Sequence, residues 1–318
     1  MALLTFMAMT LPVAASRLEW DRIARWSGQG PNRAAIGIQF NDGLADCIYV
    51  FGFRWDDGDT TCRDALRSLC ASDSTLCLLE QRTSVTPERF CLGGIGFGIG
   101  CNVLRNLWFD FGSAREDRSI PFNYFATDAQ GNLTGPGDDT ENLCRSAIDV
   151  ALKGNHVVVH PVNALSFGMP SYDYDYWLVR DIAAYRHWNA GWNTGNWVIW
   201  TGTDDVALMK YAGMAYDRLT LSDGDFLVLN FNRHDNYPAW RDPVDGYSGA
   251  SRPLRPLEYV DENSSSISAV EIPGDTPRYF SLDGRPVATL SAPGIYIARG
   301  RDGRCRTVYI SNPSSTTP

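Results

Sequence analysis

The amino-acid sequence predicts a mainly β, β-sandwich-like protein with two short helices and a small β appendage at its C-terminal end. Three observations lead to this fold class: many short apolar or β-branched runs, Asp-Gly and Pro-Gly turn signals between them, and only two stretches of helical periodicity. The 318 residues, 44% hydrophobic and 20% charged, are enough for about two domains with ordinary cores. No apolar run approaches the roughly 20 residues that cross a bilayer.

The first predicted unit is a β-hairpin. Its strands are the runs at 34–40 and 47–53, and Asn41-Asp42-Gly43 between them is an Asp-Gly turn signal. The period then changes to that of a helix over 61–71, where Thr61 and Asp64 are placed as a capping box.

A second helix is predicted over 141–152. It follows Asp138 and Asp139 and is closed by Gly154, and Val157 to Val159 returns to strand.

Composition divides the chain into four segments. Residues 1–15 are uncharged and apolar and end in small residues, which predicts a signal segment for export, with a buried first strand as the alternative. An aromatic-rich β ligand-binding domain is expected at 17–247. A linker rich in Pro, Gly, Ser and charge follows at 248–275, and a small β domain at 276–312. We therefore expect a secreted or cell-surface protein.

Charge and cysteine usage narrow the possible partners. The 28 Lys and Arg residues against 37 Asp and Glu residues give a net charge of −9, so nucleic acid is not expected as a partner. Eight cysteines, six of them between Cys47 and Cys101, favour a disulfide framework in an oxidising compartment. Their spacing matches no zinc knuckle, and free buried thiols are the other alternative. The connectivity stays open.

The motifs of several common enzyme classes are absent from the sequence. The glycine-rich run at 93–100 lacks the Lys-Ser/Thr pair of a phosphate-binding loop, and there is no G-x-S-x-G or H-E-x-x-H motif. His156 and His160 fall on a predicted strand, where residues four apart are separated by roughly 13 Å. We therefore expect no cofactor and no metal ligands, and we favour a protein that is not an enzyme.

Two groups of carboxylates keep further alternatives open. The acids at 56–59 and 138–139 fit turn and N-cap roles, with calcium binding as the alternative. A glycan-cleaving enzyme would need two facing carboxylates, which sequence cannot identify among 37 acids.

The aromatic-rich segment at 172–200 is the most informative local feature, with nine aromatic residues in 29 positions. Tryptophan and tyrosine faces suit stacking on a sugar ring or on a planar macrocycle, and packing in a β core is the alternative. Asp42 and Arg54 would orient the ligand, or else form a buried salt bridge or support the hairpin turn. The predicted ligand-binding residues are Asp42, Arg54, Trp55, Trp188, Trp192, Trp197 and Trp200.

Several motifs resemble a family of exported surface proteins common in Bacteroidota. They are Trp26-Ser27-Gly28-Gln29-Gly30-Pro31-Asn32, Gln39-Phe40-Asn41-Asp42-Gly43 and Tyr49-Val50-Phe51-Gly52-Phe53-Arg54-Trp55-Asp56. They correspond to the family patterns W-x-G-x-G-x-N, W-N-D-G and W-G-Y-R-W-D-G. Phe40 and Phe51 stand where the family usually has tryptophan. Some members are associated with corrinoid uptake, so the resemblance implies ligand capture rather than chemistry.

The C-terminal tail carries a second resemblance. Residues 279–287 and 293–300 are similar to the short C-terminal β domains of exported Bacteroidota proteins, some of which serve as type IX secretion signals. The usual basic end is replaced here by residues 311–318.

Sequence and resemblance together predict a secreted or cell-surface protein that captures a small ligand through its aromatic cluster. The expected ligand is a corrinoid-like macrocycle such as cobalamin, or a glycan, and an outer-membrane transporter is a candidate partner. The alternatives are a glycan-cleaving enzyme and a structural surface-layer or adhesive module.

Overall fold

The structure of the protein is a computed structural model. It describes residues 17–110, 140–161, 176–180, 186–191, 195–233 and 252–261, together with strand segments at 126–127, 133–135, 278–280, 286–287, 294–299 and 305–310. The predicted signal segment at 1–15, the acids Asp138 and Asp139, and Trp192 lie outside the described residues.

The described residues form many strands and two α-helices. The helices are α1 (Cys62–Ser72) and α2 (Thr140–Lys153). The strands are β1 (Trp26–Gly28), β2 (Asn32–Gln39), β3 (Ile48–Trp55), β4 (Leu76–Val85), β5 (Glu88–Gly98), β6 (Leu107–Phe109), β7 (Ala126–Thr127), β8 (Leu133–Gly135), β9 (Val157–Val159), β10 (Trp177–Val179), β11 (Arg186–Ala190), β12 (Gly195–Gly202), β13 (Lys210–Tyr211), β14 (Asp225–Arg233), β15 (Leu257–Tyr259), β16 (Arg278–Phe280), β17 (Pro286–Val287), β18 (Gly294–Arg299) and β19 (Cys305–Ile310). The predicted mainly β fold with two helices is confirmed.

A large mixed sheet forms one layer of the fold, with strand order β1-β3-β2-β14-β12-β13. β2 and β3 are the predicted antiparallel hairpin, and β14 runs parallel to β2 and antiparallel to β12. β15 adds to the β3 edge beside Ile48 and Val50. Part of the predicted linker at 248–275 is therefore a strand of this sheet. This strand supplies hydrogen bonds to an edge of β3 that would otherwise be open.

A second sheet, with strand order β11-β5-β4-β9, packs over the large one. Alternate residues of the strands point to opposite faces, and the main core lies between the facing sides together with the apolar stripe of α1. Fully buried Phe51 and Phe97 meet there edge to face, with ring centroids 5.6 Å apart.

Helix α1 forms where its capping box predicts. The Thr61 side chain accepts a hydrogen bond from the Asp64 amide, and the Asp64 carboxylate accepts one from the Thr61 amide at 3.0 Å. The helical spacing of Ala65, Leu66 and Leu69 turns these side chains into the main core.

Two further clusters cover the outer faces of the sheets. Helix α2, which begins one residue before its predicted start, packs with β6 and β10 against the far side of the second sheet. On the outer face of the large sheet, Leu18 and Ile23 of the N-terminal segment pack with Trp200, Val228 and Met209.

The predicted C-terminal β domain contains four described strands. They form an antiparallel sheet with the order β17-β16-β18-β19. Among the described helices of the whole chain, none combines the length and apolarity needed to span a membrane.

Candidate functional site

The structure separates the two charged residues predicted to orient a ligand. Asp42 lies in the turn after β2, whereas Arg54 lies near the other end of the hairpin, opposite Arg33. The two residues do not form the salt bridge considered as an alternative. Each one has a different set of contacts.

Asp42 is held by the turn and by a histidine from β11. Its Oδ1 accepts a hydrogen bond from the Leu44 amide at 3.0 Å, and its Oδ2 lies 2.8 Å from Nδ1 of His187. Since a carboxylate can only accept here, Nδ1 carries the hydrogen, and Nε2 lies 3.0 Å from the Tyr49 hydroxyl, within hydrogen-bond distance. Both His187 and Tyr49 are buried, so this chain of three side chains supports the turn from inside the core.

The thiol beside this chain is not an activated nucleophile. Burial raises the pKa of Cys47 to about 11, and the negative charges of Glu258 and Asp46 act in the same direction. Burial also raises the pKa of Tyr49. Both groups therefore stay protonated at neutral pH, when a nucleophilic cysteine would need to be a thiolate.

Trp197 packs beside the Asp42 turn. Its ring makes edge contacts with Phe40 and Phe231, at centroid distances of 5.8 and 5.2 Å. Its Nε1 donates a hydrogen bond to the Asn189 carbonyl at 3.3 Å. These contacts leave Trp197 half-buried on the main core.

The other described tryptophans of the predicted cluster lie elsewhere. Trp200 is fully buried on the outer face of the large sheet, and Trp55 is buried in the main core, where it stacks on Phe53. Trp188 packs on the far side of the second sheet and donates to the Trp177 carbonyl at 2.6 Å. The described members of the cluster thus belong to three hydrophobic clusters and do not form one stacking surface.

The most deeply buried carboxylate of the described core is saturated with hydrogen bonds. Glu80 accepts from Arg63 at 2.8 and 3.0 Å, from Arg67 at 2.6 Å and from the Tyr216 hydroxyl at 2.6 Å. Burial raises the pKa of Tyr216, and the Glu80 charge raises it further. With both oxygens engaged and no solvent exposure, Glu80 is not placed to act as an acid or base on a substrate.

Cysteines and acids in the described part of the chain form neither a disulfide nor a metal centre. Seven cysteines are free thiols there, and Cys62, Cys70, Cys77 and Cys144 are buried in the cores like small apolar residues. The disulfide framework therefore stays a prediction. No group of three or more His, Cys, Asp or Glu side chains among the described residues could hold a metal ion.

A surface cleft lies where β1 passes the end of α1. Its volume is about 390 Å³. It is lined by Ala24, Arg25, Trp26, Leu69, Ser72, Asp73, Ser74 and Thr75. The sequence prediction missed these residues as a site, although Trp26 opens the W-x-G-x-G motif.

The polar side of the cleft is fixed by an ion pair. Nη1 of Arg25 donates to Asp73 at 2.8 Å and to the Thr75 hydroxyl at 3.0 Å, and Nη2 donates to the Asp261 carbonyl at 3.1 Å. Both Arg25 and Asp73 are mostly buried. The polar groups are therefore held in one arrangement before a ligand arrives.

Trp26 also lines the cleft, while its indole packs on the outer face of the large sheet. Its Nε1 donates to the Ile23 carbonyl at 2.7 Å, and its ring lies so close over Gly52 that a Cβ there would be 2.3 Å from Cε3. The Arg54 guanidinium lies 4.5 Å from the ring centroid. Arg54 thus lies with this indole on the outer face of the large sheet. None of the described tryptophans predicted to bind a ligand lines the cleft.

This arrangement suits binding better than hydrolysis. Among the described residues that line the cleft, Asp73 is the one carboxylate, and it is already paired with Arg25. Glycoside hydrolysis normally needs two carboxyl groups on either side of the bond. Fixed donors, acceptors and hydroxyls can hold a polar ligand without reacting with it.

Comparison of the chain with protein-family models, with curated proteins and with solved structures gave no match. The resemblance to exported Bacteroidota proteins therefore stays a prediction, and the function is argued from the site.

Proposed function

We propose that this protein is an exported binding protein that captures a small, hydroxyl-rich ligand of the carbohydrate class in the cleft beside Trp26. The observation that carries the proposal is the meeting of one fixed ion pair and three hydroxyl side chains in a cleft of about 390 Å³. Export is supported by the uncharged apolar segment at 1–15 and by the resemblance of the C-terminal tail.

The chemistry of the lining favours a sugar. A pyranose has an apolar face that stacks on an aromatic ring and a rim of hydroxyls that both donate and accept hydrogen bonds. Ala24 supplies apolar surface, Asp73 and the hydroxyls of Ser72 and Ser74 supply acceptors, and Arg25 fixes the Asp73 carboxylate. Because this polar side is already ordered, little conformational entropy is lost when a ligand binds.

The cleft volume favours a ligand of one or two sugar rings over a macrocycle. Ligand pockets commonly measure about 300–1,000 Å³, and this cleft is near the lower limit. A corrinoid is far larger than a disaccharide. The macrocycle alternative accordingly has less support than the glycan.

The test is calorimetric titration of the full chain with cellobiose, maltose, lactose, N-acetylglucosamine and cobalamin. We expect saturable binding of at least one sugar and none of cobalamin. The Ser74→Tyr variant places a large side chain in the cleft from an exposed position and should weaken that binding at least tenfold, about 1.4 kcal/mol.

Ala71→Tyr is the matched control. It adds the same side chain at an exposed position of α1 that does not line the cleft, and should leave affinity within about twofold of wild type. Absence of saturable sugar binding would overturn the proposal. So would a Ser74→Tyr variant that is folded and binds like wild type.

A further inference from the structure

Two arginines face each other on the outer side of the large sheet. Arg33 of β2 and Arg54 of β3 are directly opposite in the antiparallel register, and both are half-buried. Strand alternation places them on the same face as Gly37 and Gly52. Like charges in directly opposite positions destabilise a sheet, so this pair needs a compensating interaction.

Part of the compensation comes from two tryptophans. The Arg33 guanidinium lies 4.4 Å from the Trp20 ring centroid, and that of Arg54 lies 4.5 Å from the Trp26 centroid. The two indoles are themselves stacked, with centroids 6.4 Å apart and an interplanar angle of 22°. We call these four side chains, Trp20, Trp26, Arg33 and Arg54, the Arg-Trp face.

The two arginines of the Arg-Trp face lack the carboxylate partner that most other arginines of the described structure have. Arg25, Arg63 and Arg67 each lie within 2.8 Å of a carboxylate oxygen. Among the described residues, by contrast, no carboxylate lies within ion-pair distance of Arg33 or Arg54, in a chain with 37 acids and 28 bases.

The nearest acid contact of this pair involves the backbone. Oδ1 of Asp223 accepts a hydrogen bond from the Arg33 amide at 2.9 Å. The guanidinium groups themselves contact indole rings. A guanidinium over a ring uses its flat face, while its N–H groups lie in its plane and stay free to bind another acceptor.

We propose that the Arg-Trp face binds the anionic group, a carboxylate or a sulfate ester, of an acidic sugar that reaches it from the cleft around β1, the edge strand of the large sheet. The inference rests on the proposed function, because Trp26 belongs to both the cleft and the Arg-Trp face. An anion between the two guanidinium groups removes their mutual repulsion. The in-plane N–H groups match the paired oxygens of a carboxylate or sulfate.

The acidic composition of the chain does not oppose this site. The net charge of −9 acts from a distance, and physiological salt screens charges beyond roughly 8 Å. Two adjacent guanidinium groups therefore dominate the local potential. The same argument predicts that binding of the anion weakens as salt rises.

The test compares ligands that differ only in charge. The full chain is titrated with trigalacturonic acid and its neutral methyl ester, and with N-acetylglucosamine 6-sulfate and N-acetylglucosamine, at low and at high NaCl concentration. We expect at least one anionic sugar to bind about tenfold or more tightly than its neutral partner at low salt. The galacturonic acid and its ester test binding of a carboxylate, and the two glucosamine derivatives test binding of a sulfate.

Variants locate the effect. Arg33→Gln and Arg54→Gln should each bring the ratio of anionic to neutral sugar affinity close to one. Arg180→Gln is the matched control, since Arg180 lies 4.2 Å from the Trp108 ring centroid, outside the Arg-Trp face. Arg54→Lys, which keeps the charge, should retain part of the preference.

Each outcome decides between the proposals. Equal binding of charged and neutral sugars, or equal loss in Arg180→Gln, overturns the anion inference and leaves the cleft proposal standing. Absence of binding by every sugar overturns both. If Arg33→Gln is unfolded by circular dichroism, Arg33→Lys and Arg54→Gln supply the same comparison.

Discussion

The hydroxyl of Tyr216 donates a 2.6 Å hydrogen bond to Oε1 of Glu80, a carboxylate with no solvent exposure. The same carboxylate accepts from Arg63 and Arg67 of α1. One buried charge thus joins α1, β4 and the segment before β14. A buried charge is stable in such a position only while its hydrogen bonds are complete.

Removing the Tyr216 hydroxyl should destabilise the fold. We expect Tyr216→Phe to lower the free energy of unfolding by about 1.5–3 kcal/mol, because a hydrogen bond to a charged group is lost. Glu80→Ala should cost about 3–5 kcal/mol, since Arg63 and Arg67 lose their shared partner. Urea denaturation measures both. The double variant Tyr216→Phe/Glu80→Ala should cost less than the sum of its singles, and strict additivity would show that the two groups do not interact.

Buried thiols should make the protein unstable in alkali. Burial raises the pKa of Cys62 and of Cys77 from 9.0 to about 12. Above pH 9 the unfolded chain loses protons that the folded chain keeps, so the stability present below pH 9 is lost between pH 9 and 12. Each thiol should lower the free energy of unfolding by about 1.4 kcal/mol per pH unit in that window.

Urea denaturation with reductant at pH 8 and at pH 10.5 tests this prediction. Cys62→Ala and Cys77→Ala should each give a shallower pH dependence, although both lower stability at pH 8. An unchanged slope would contradict the assignment. A cysteine in a disulfide has no thiol to ionise and contributes nothing to this pH dependence. Repeating the measurement without reductant therefore also tests the predicted disulfide framework.

The Asp42 turn should depend on its carboxylate. Asp42→Asn leaves one acceptor oxygen for two donors, so that an NH2 group faces either Nδ1–H of His187 or the Leu44 amide. We expect a loss of about 1–3 kcal/mol in the free energy of unfolding, together with faster hydrogen exchange at Leu44. Asp46→Asn is the control within the same turn. Its exposed ion pair with Arg255 should contribute less than about 1 kcal/mol. Equal effects of the two variants would disprove the internal role of Asp42.

Gly52 should control the position of Trp26. Gly52→Ala brings a Cβ to 2.3 Å from Cε3 of the indole, so the ring must move, at a cost of about 1–3 kcal/mol. We expect weaker binding of the anionic sugar, because Arg54 stacks on this ring, and a shifted tryptophan emission. Gly154→Ala is the control, since its new Cβ meets only the Val150 carbonyl at 3.2 Å. Wild-type affinity in a folded Gly52→Ala variant would show that Trp26 does not hold the ligand.

Local patterns predicted local structure well. The Asn41-Asp42-Gly43 signal lies between the observed strands β2 and β3, and Thr61 with Asp64 caps α1 as expected. These features depend on residues a few positions apart, where spacing alone determines geometry. Helix α2 also forms as predicted and ends just before Gly154.

Contacts between distant residues could not be predicted in this way. The partner of Asp42 is His187, 145 positions later, and the cleft joins residues 24–26 to 69–75. The periodicity of a short stretch of sequence does not show which distant residues it will contact. The sites therefore became visible only in three dimensions.

The sequence does indicate that the tryptophans of the predicted cluster point to different faces of the sheet. Trp197 and Trp200 are three positions apart on β12, and side chains an odd number of positions apart on a strand point to opposite faces. One therefore reaches the main core and the other the outer face. A high local density of aromatic residues does not by itself distinguish one ligand-binding surface from packing in several hydrophobic cores.

The parallel pairing of β14 with β2 has a consequence for the order of folding. Asp225 pairs with Ala34, so 190 residues must be synthesised between the two partners. At roughly 5–20 residues per second, this takes on the order of 10–40 s. Throughout that time the hairpin has an open edge at β2, a template for pairing with other chains. The centre of the large sheet is completed late, and a chain that ends before residue 225 keeps this edge exposed.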